Sequence, residues 1–334
     1  MLSKAFIDLQ AIKFNANAVK NKLNGKAKLC AVVKSDAYGH GIEQVANALY
    51  TICDEYAVST IQEGLRLRRI GIDKPVLVMV PYLKDASLGV ERGLTLAVQN
   101  VYQMQKLSQS AEKIGKIAKV HLCFNSGMNR FGANLTGISD MIDFACVNEW
   151  VKIDGLFSHY ASPQDDSARL LAKRKFLLAN KLVKHYNRNT TCHISASGGF
   201  LKGDYFDMVR IGILLYGYKP FNFPSFSVKP AMSVYAPVIN TRRLTTLDGC
   251  LYGLQRPTKK CKVSIIGYGY ADGLPRRPSN AQFNNKCMDA SAYYGAKKGF
   301  YPVMLNADKV AREYGTISYE VLTKCALRSQ KIYV

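Results

Sequence analysis

The chain has 334 residues, of which 46 are Lys or Arg and 24 are Asp or Glu, giving a net charge of +22. Its 48% hydrophobic content suffices for a large core, which excludes a disordered basic tail. No uninterrupted apolar run reaches the ~20 residues that cross a bilayer, and the start, MLSKAFIDLQ, holds Asp8 and no apolar signal-peptide core. A cytoplasmic protein with no membrane contact is expected.

The first elements are a strand at about 4–9 and a helix at 11–23. From residue 29 to about 217, short β-branched runs alternate with helical periods. The runs are LCAVVK (29–34), EYAVST (55–60), PVLVMV (75–80), LTLAVQ (94–99), KVHLCFN (119–125), KIDGLFSHY (152–160), TCHISA (191–196) and FDMVRIGI (206–213). Between them, segments such as 43–50, 61–70, 103–114 and 168–186 repeat apolar residues at three and four spacings. Eight alternating units predict a (β/α)8 barrel over a doubly wound sheet. Beyond Gly217 the texture changes: a linker with Pro220, Pro224 and Pro230 leads to strand-like pieces SVYAPVIN, CKVSIIGYG and YPVML. The expected division is a barrel at 10–220 and a smaller β-rich domain at 221–334, joined by the strand at 1–9.

Basic residues never run longer than Lys173-Arg174-Lys175, and most sit singly in helical patterns, which reads as solvated helix faces rather than a nucleic-acid site. The nine cysteines are odd in number, without CxxC pairs or metal-ligand spacing, so free thiols in a reducing compartment and no metal are expected. His121 and His193 read as satisfied core histidines, and Cys287 as lining. GYGYADG has the wrong spacing for a dinucleotide loop.

Barrel active sites lie at the C-terminal strand ends, with phosphate often held after strands 7 and 8. The first barrel strand ends in Lys34 after the apolar run Cys30-Ala31-Val32-Val33. Such a lysine is partly desolvated, which lowers its pKa and suits a Schiff-base amine. Ser197-Gly198-Gly199 opens a helix after strand 7, and Arg210 precedes Gly212-Ile213 after strand 8. A strand-end lysine with a phosphate cup points to pyridoxal 5'-phosphate.

The motif Ala31-Val32-Val33-Lys34-Ser35-Asp36-Ala37-Tyr38-Gly39-His40-Gly41 resembles the cofactor-lysine motif of alanine racemases. The resemblance continues through SGMNRFG (126–132), LFSHYAS (156–162), DMVRIGILLYG (207–217), Leu251-Tyr252-Gly253, GYGYADG (267–273), Cys287-Met288-Asp289 and TISYEVLT (316–323). It implies a PLP-dependent racemase interconverting L- and D-alanine, which would supply D-alanine for peptidoglycan. The alternative is a serine or broad-specificity amino-acid racemase of the same fold. In the implied two-base arrangement Lys34 serves one face of the substrate Cα and Tyr252 the other, with His159 orienting Tyr252. Arg210 would face the pyridine nitrogen, and Arg130 the phenolic oxygen and the substrate carboxylate. Met288 would bind that carboxylate too, Tyr270 would narrow the entrance, and Tyr38, Ser197, Gly212 and Ile213 would bind phosphate. In this family Tyr252, Tyr270, Met288 and Asp289 reach the site from the partner subunit, so a homodimer with shared active sites is implied. The chain departs from common family residues at Cys123 (often a lysine, carbamylated in many), Asn125 (aspartate) and Ala196 (asparagine). Leu327 is aligned with a phosphate-binding tyrosine of some members.

Overall fold

A computed structural model describes residues 3–252, 256–276 and 286–334. By contact the chain divides into two units. One comprises Ile12–Ser35 and Ile42–Val228; the other comprises the N-terminal segment to Ala11, Asp36–Gly41 and Lys229–Val334. Residues 221–228 thus group with the first unit, and the six residues after Ser35 with the second.

Strand β1 (Lys4–Ile7) and helix α1 (Leu9–Leu23) come first. The first unit then holds eight strands: β2 (Lys28–Val32), β3 (Glu55–Val58), β4 (Val76–Val78), β5 (Thr95–Val98), β6 (Ala118–Cys123), β7 (Val151–Phe157), β8 (Thr191–His193) and β9 (Met208–Ile211). They pair in parallel in the order β8-β7-β6-β5-β4-β3-β2-β9. The ends of that order meet, because Asp207 N–H donates to the Cys192 carbonyl and Arg210 N–H to the Ser195 carbonyl, with a parallel bridge between Ala196 and Arg210. The sheet closes into the expected barrel. All residues of β3, β4, β5 and β9 are buried, which is why they read as continuous apolar runs rather than alternating ones.

The helices between are set by their first residues. After the turn α2 (Lys34–Tyr38) and α3 (Ile42–Leu49), Thr60 and Glu63 form a capping box on α4 (Ile61–Arg69). Following α5 (Ala86–Glu91), side-chain caps start α6 (Val101–Ile114) at Asn100, α7 (Leu135–Cys146) at Asn134 and α8 (Asp166–Tyr186) at Asp165. A five-residue α9 (Ser197–Leu201) follows β8.

In the second unit β10 (Met232–Leu244) is the spine. It pairs antiparallel with β1, β11 (Cys261–Ile266) and β13 (Phe300–Met304). Beside β11 lies β12 (Ser291–Tyr294), and β1 pairs in parallel with β14 (Gln330–Tyr333). Two helices absent from the sequence expectation, α10 (Ala307–Tyr314) and α11 (Ser318–Cys325), sit between β13 and β14. They are eight residues each, too short to show more than two helical periods.

Candidate active site

Strand β2 delivers Lys34 at its C-terminal end, behind the buried Leu29 to Val33. Burial holds the Lys34 ammonium below its ordinary value of 10.5, with Arg130 and Arg210 adding repulsion and Glu63 opposing it. Glu63 is also a clamp. One carboxylate oxygen accepts the N–H groups of Ser59 and Thr60, at 2.8 and 3.1 Å, and the other accepts the Ser35 N–H at 2.6 Å. The residue following Lys34 is therefore fastened to the start of α4.

Past this clamp the backbone turns the unusual way. Ser35, Asp36, Ala37 and Tyr38 all have φ of 53° or 54°, one left-handed helical turn made of non-glycine residues. Each such residue costs about 1–2 kcal/mol, so the turn persists only where its surroundings impose it. Within the second unit Asp36 pairs with Lys331, and the Tyr38 ring meets that of Tyr319 at 6.0 Å. Gly39 packs so tightly against the Leu322 carbonyl that a Cβ would have no room.

Arg210 is buried in β9, and all its partners are neutral. It donates to the carbonyls of Ser158, His193 and Ile194, to Nδ1 of His193 and, at 3.4 Å, to Nδ1 of His159. A guanidinium only donates, so both Nδ1 atoms accept and both imidazoles carry their proton on Nε2. His193 Nε2–H accordingly donates to Nδ1 of His121 at 3.0 Å. The His121 ring lies over Gly155, where β6 and β7 slip by one residue, and any Cβ on Gly155 would strike it. Burial, reinforced by Arg210, holds His159 down to about 3 and His193 well below its ordinary value; burial also holds His121 down to about 4. These imidazoles are neutral, and Arg210 itself is lowered to about 10 by burial. His121 and His193 are satisfied core histidines, as expected, but they are also the chain that aims Arg210.

Arg130 lies on the loop after β6, over the Phe131 ring at 5.3 Å, and forms no ion pair among the described residues. Neutral groups shape this loop. Asn125 accepts from Gly127 and Asn129 N–H and donates to the Asn129 side chain, while Gln99 accepts the Gly132 N–H. Gly132 has φ +105°, and a Cβ on it would sit 2.6 Å from the Asn125 backbone nitrogen, so no other residue fits. Cys123 packs with Ala97 and Phe157, and burial pushes its thiol up to about 12, so it brings no charge to Arg130.

Ser197, at the start of α9, accepts a long hydrogen bond from Gly212 N–H at 3.4 Å, and Ile213 opens the turn that follows. A Cβ on Gly198 would collide with Pro163, and one on Gly199 with the Ser195 hydroxyl at 2.5 Å. The side chains of Pro163 and Ser195 pack directly against this backbone and leave room only for glycine.

The expected residues fall into two sets. Lys34, Arg130, His159 and Arg210 lie within mutual electrostatic reach in the first unit, where Ser197, Gly212 and Ile213 also meet. Tyr38, Tyr252, Tyr270 and Met288 belong to the second unit. There Tyr270 and Met288 share a turn: Tyr270 N–H donates to the Cys287 carbonyl and Ala271 N–H to that of Met288. Tyr252 is exposed in a turn after Leu251, whose φ is +54°, and Gly253 lies outside the described residues. Leu327 is exposed, and the tyrosine packed on Tyr38 is Tyr319 of α11. Among the described residues no group of His, Cys, Asp and Glu is placed to hold a metal ion.

Residues 7–220 match the family model described as alanine racemase, N-terminal domain. The chain belongs to the alanine racemase family, a family of isomerases. It is 30% identical to alanine racemase 2 of Caldanaerobacter subterraneus subsp. tengcongensis, over 98% of this chain and 94% of that one. The solved alanine racemase of Clostridium difficile 630 superposes with a TM-score of 0.92 at 27% identity, covering 100% of this chain and 96% of the other. That of Bartonella henselae, solved with covalently bound pyridoxal phosphate, gives 0.87 at 23% identity, covering 100% of both chains. Glu63, Ser158, His193, His121 and Tyr319 hold these side chains and turns in place, and sequence reasoning assigned none of them that part. The matches LFSHYAS, which contains Ser158, and TISYEVLT, which contains Tyr319, offered a signal for two of them, and Glu63 had none.

Proposed function

We propose that this chain racemises alanine with pyridoxal 5'-phosphate, using Lys34 and Tyr252 of the partner subunit as two bases, and that the product serves cell-wall synthesis in the cytoplasm. The observation that carries the reading is the group Lys34, Arg130 and Arg210. Three cations share one strand-end site in which Glu63 is the acidic group acting on Lys34. Such a group suits an anionic aldehyde cofactor and an amino-acid carboxylate. The phosphate would fall to Ser197, Gly212 and Ile213, with Tyr38 completing the set.

Pyridoxal phosphate supplies the sink for the electron pair left when a Cα–H bond breaks. The protein supplies the proton traffic and the alignment. Lys34, its ammonium form disfavoured by burial and by two neighbouring guanidiniums, would carry the cofactor at its amine and then move a proton on one face of Cα. Tyr252 of the partner subunit would move a proton on the other face: the C–H bond breaks toward one group and re-forms from the other. His159 accepts from Arg210 at Nδ1, so its Nε2–H is free to donate and would stabilise the ionised form of that tyrosine. Arg210, locked as a donor by carbonyls and His193, can donate to a pyridine nitrogen but not protonate it. Arg130, with Met288 of the partner subunit, would hold the substrate carboxylate, and Tyr270 of the partner subunit would narrow the entrance.

The reading is tested by chiral chromatography of the purified protein on L-alanine and L-serine. Alanine turnover well above serine supports it. The reverse order supports a serine or broad-specificity racemase, and turnover of neither removes the proposal.

A further inference from the structure

Helix α8 runs 21 residues, with Ala172, Phe176, Ala179 and Val183 buried on one face. Its outer side is not the ordinary polar one. Leu170, Leu171, Leu177, Leu178 and Leu182 are 40% to 56% exposed. Among the described residues no other helix exposes more than one large hydrophobic side chain. Single exposed leucines are common, whereas a contiguous group marks a surface that meets something apolar. From Leu170 to Leu182 the stripe is about 18 Å long at the helical rise.

Past Asp165 and Asp166 at its start, where Asp166 pairs with Arg169 and Lys202, the charge on the same helix is one-sided. Residues 167–188 contain Arg169, Lys173, Arg174, Lys175, Lys181, Lys184 and Arg188 and no acidic residue. Arg169 and Lys173 pair with Asp204, and Lys184 with Asp207. Arg174, Lys175, Lys181 and Arg188 are exposed and form no ion pair among the described residues. Arg174 and Lys181 alternate with Leu170 and Leu177 on the side opposite the buried face, and Lys175 alternates with Leu171, Leu178 and Leu182 beside it. The neighbouring α7 offers two carboxylates, Asp140 and Asp143, too few to reverse the sign.

From this arrangement we infer that the outer face of α8 docks on an anionic lipid bilayer surface. Leucines take the apolar boundary while uncommitted cations meet lipid headgroups, as in helices that lie in the interface plane. Nucleic acid would match the cations but leave the leucines against phosphates, with no aromatic side chain among the five for base stacking. A second copy would match the leucines but oppose one cationic stripe with another. Such docking departs from the reading of these basic residues as merely solvated and from the expectation of no membrane contact. That expectation rested on the lack of a spanning segment; among the described residues no helix is long and apolar enough to cross a membrane, and a surface helix needs none.

The test is flotation of the full-length protein with phosphatidylcholine vesicles, with and without phosphatidylglycerol. Binding to the anionic vesicles alone, weakening with salt, is the expected result. The pair Arg174→Gln and Lys181→Gln should lower the partition coefficient on the order of tenfold, and Leu171→Gln with Leu178→Gln by a similar factor, with circular dichroism and melting temperature reporting the fold. No flotation with anionic vesicles, or flotation indifferent to both pairs, overturns the inference. So does a leucine-dependent self-association in sedimentation, or a duplex or single-strand affinity lost in the same variants.

Discussion

The two units divide the candidate chemistry unevenly. The barrel carries the buried Arg210 with the half-buried Lys34 and the exposed Arg130, the neutral histidines and the backbone cup, with Arg210 and the cup fixed by hydrogen bonds. The β unit carries tyrosines and a methionine, with Tyr252, Tyr270 and Met288 exposed. Holding a charged cofactor requires preorganised donors that cost nothing to reorient, and the barrel has them. Acting on one face of a substrate needs a group presented outward, and the β unit has those. The left-handed turn Ser35–Tyr38 is where the chain passes from one set to the other, held by Glu63 on the barrel side and by Lys331 and Tyr319 on the β side.

The comparison predicts that variants of the barrel cations lose cofactor whereas variants of the outward β-unit residues Tyr252, Tyr270 and Met288 lose turnover. The largest effect is expected for Lys34→Ala: no visible absorbance band after incubation with pyridoxal phosphate, and racemisation down roughly 10^3-fold or more. A retained band would break the assignment. Tyr252→Phe should cost roughly 10^2-fold to 10^4-fold in turnover and leave the band unchanged; a lost band would mean that Tyr252 also holds cofactor.

Glu63→Gln removes a carboxylate that accepts from Ser35, Ser59 and Thr60. Urea unfolding should show a loss of about 1–2 kcal/mol, with weaker cofactor retention on dialysis. Unchanged retention would mean that the turn after Lys34 needs no barrel anchor.

The smallest effect concerns pH. Burial lowers His40 and His121 to about 4 and His159 to about 3 from an ordinary 6.5, and His193 well below it. The unfolded chain therefore binds protons that the native state refuses. Stability is full above pH 6.5 and falls as pH drops toward 4. Three of the four histidines are in the barrel unit, so His193→Gln should flatten the dependence of melting temperature on pH over that range. A flat wild-type profile would contradict the burial argument.

All eight barrel strands were readable because burial on both faces leaves β-branched runs such as PVLVMV with no alternation to confuse. Lys34 was readable because it ends such a run. Glu63 was hidden: a capping box explains it completely at the level of local sequence, and its bond to Ser35 joins residues 28 apart. Likewise His121 and His193 meet across 72 residues of chain, a separation that periodicity does not report. The left-handed turn was invisible because Ser, Asp, Ala and Tyr carry no glycine signal for positive φ. Asp36–Gly41 groups with the β unit through Lys331, Tyr319 and Leu322, all close to the far end of the chain.

The central claim is that barrel residues of one chain and β-unit residues of another form each working site. Mixing Lys34→Ala with Tyr252→Phe, each inactive alone, under conditions where subunits exchange, tests it most directly. Hybrid dimers would pair one intact barrel set with one intact tyrosine, and the account predicts recovery of about a quarter of wild-type activity for a statistical mixture. No recovery, with exchange demonstrated by differently tagged chains, would contradict it.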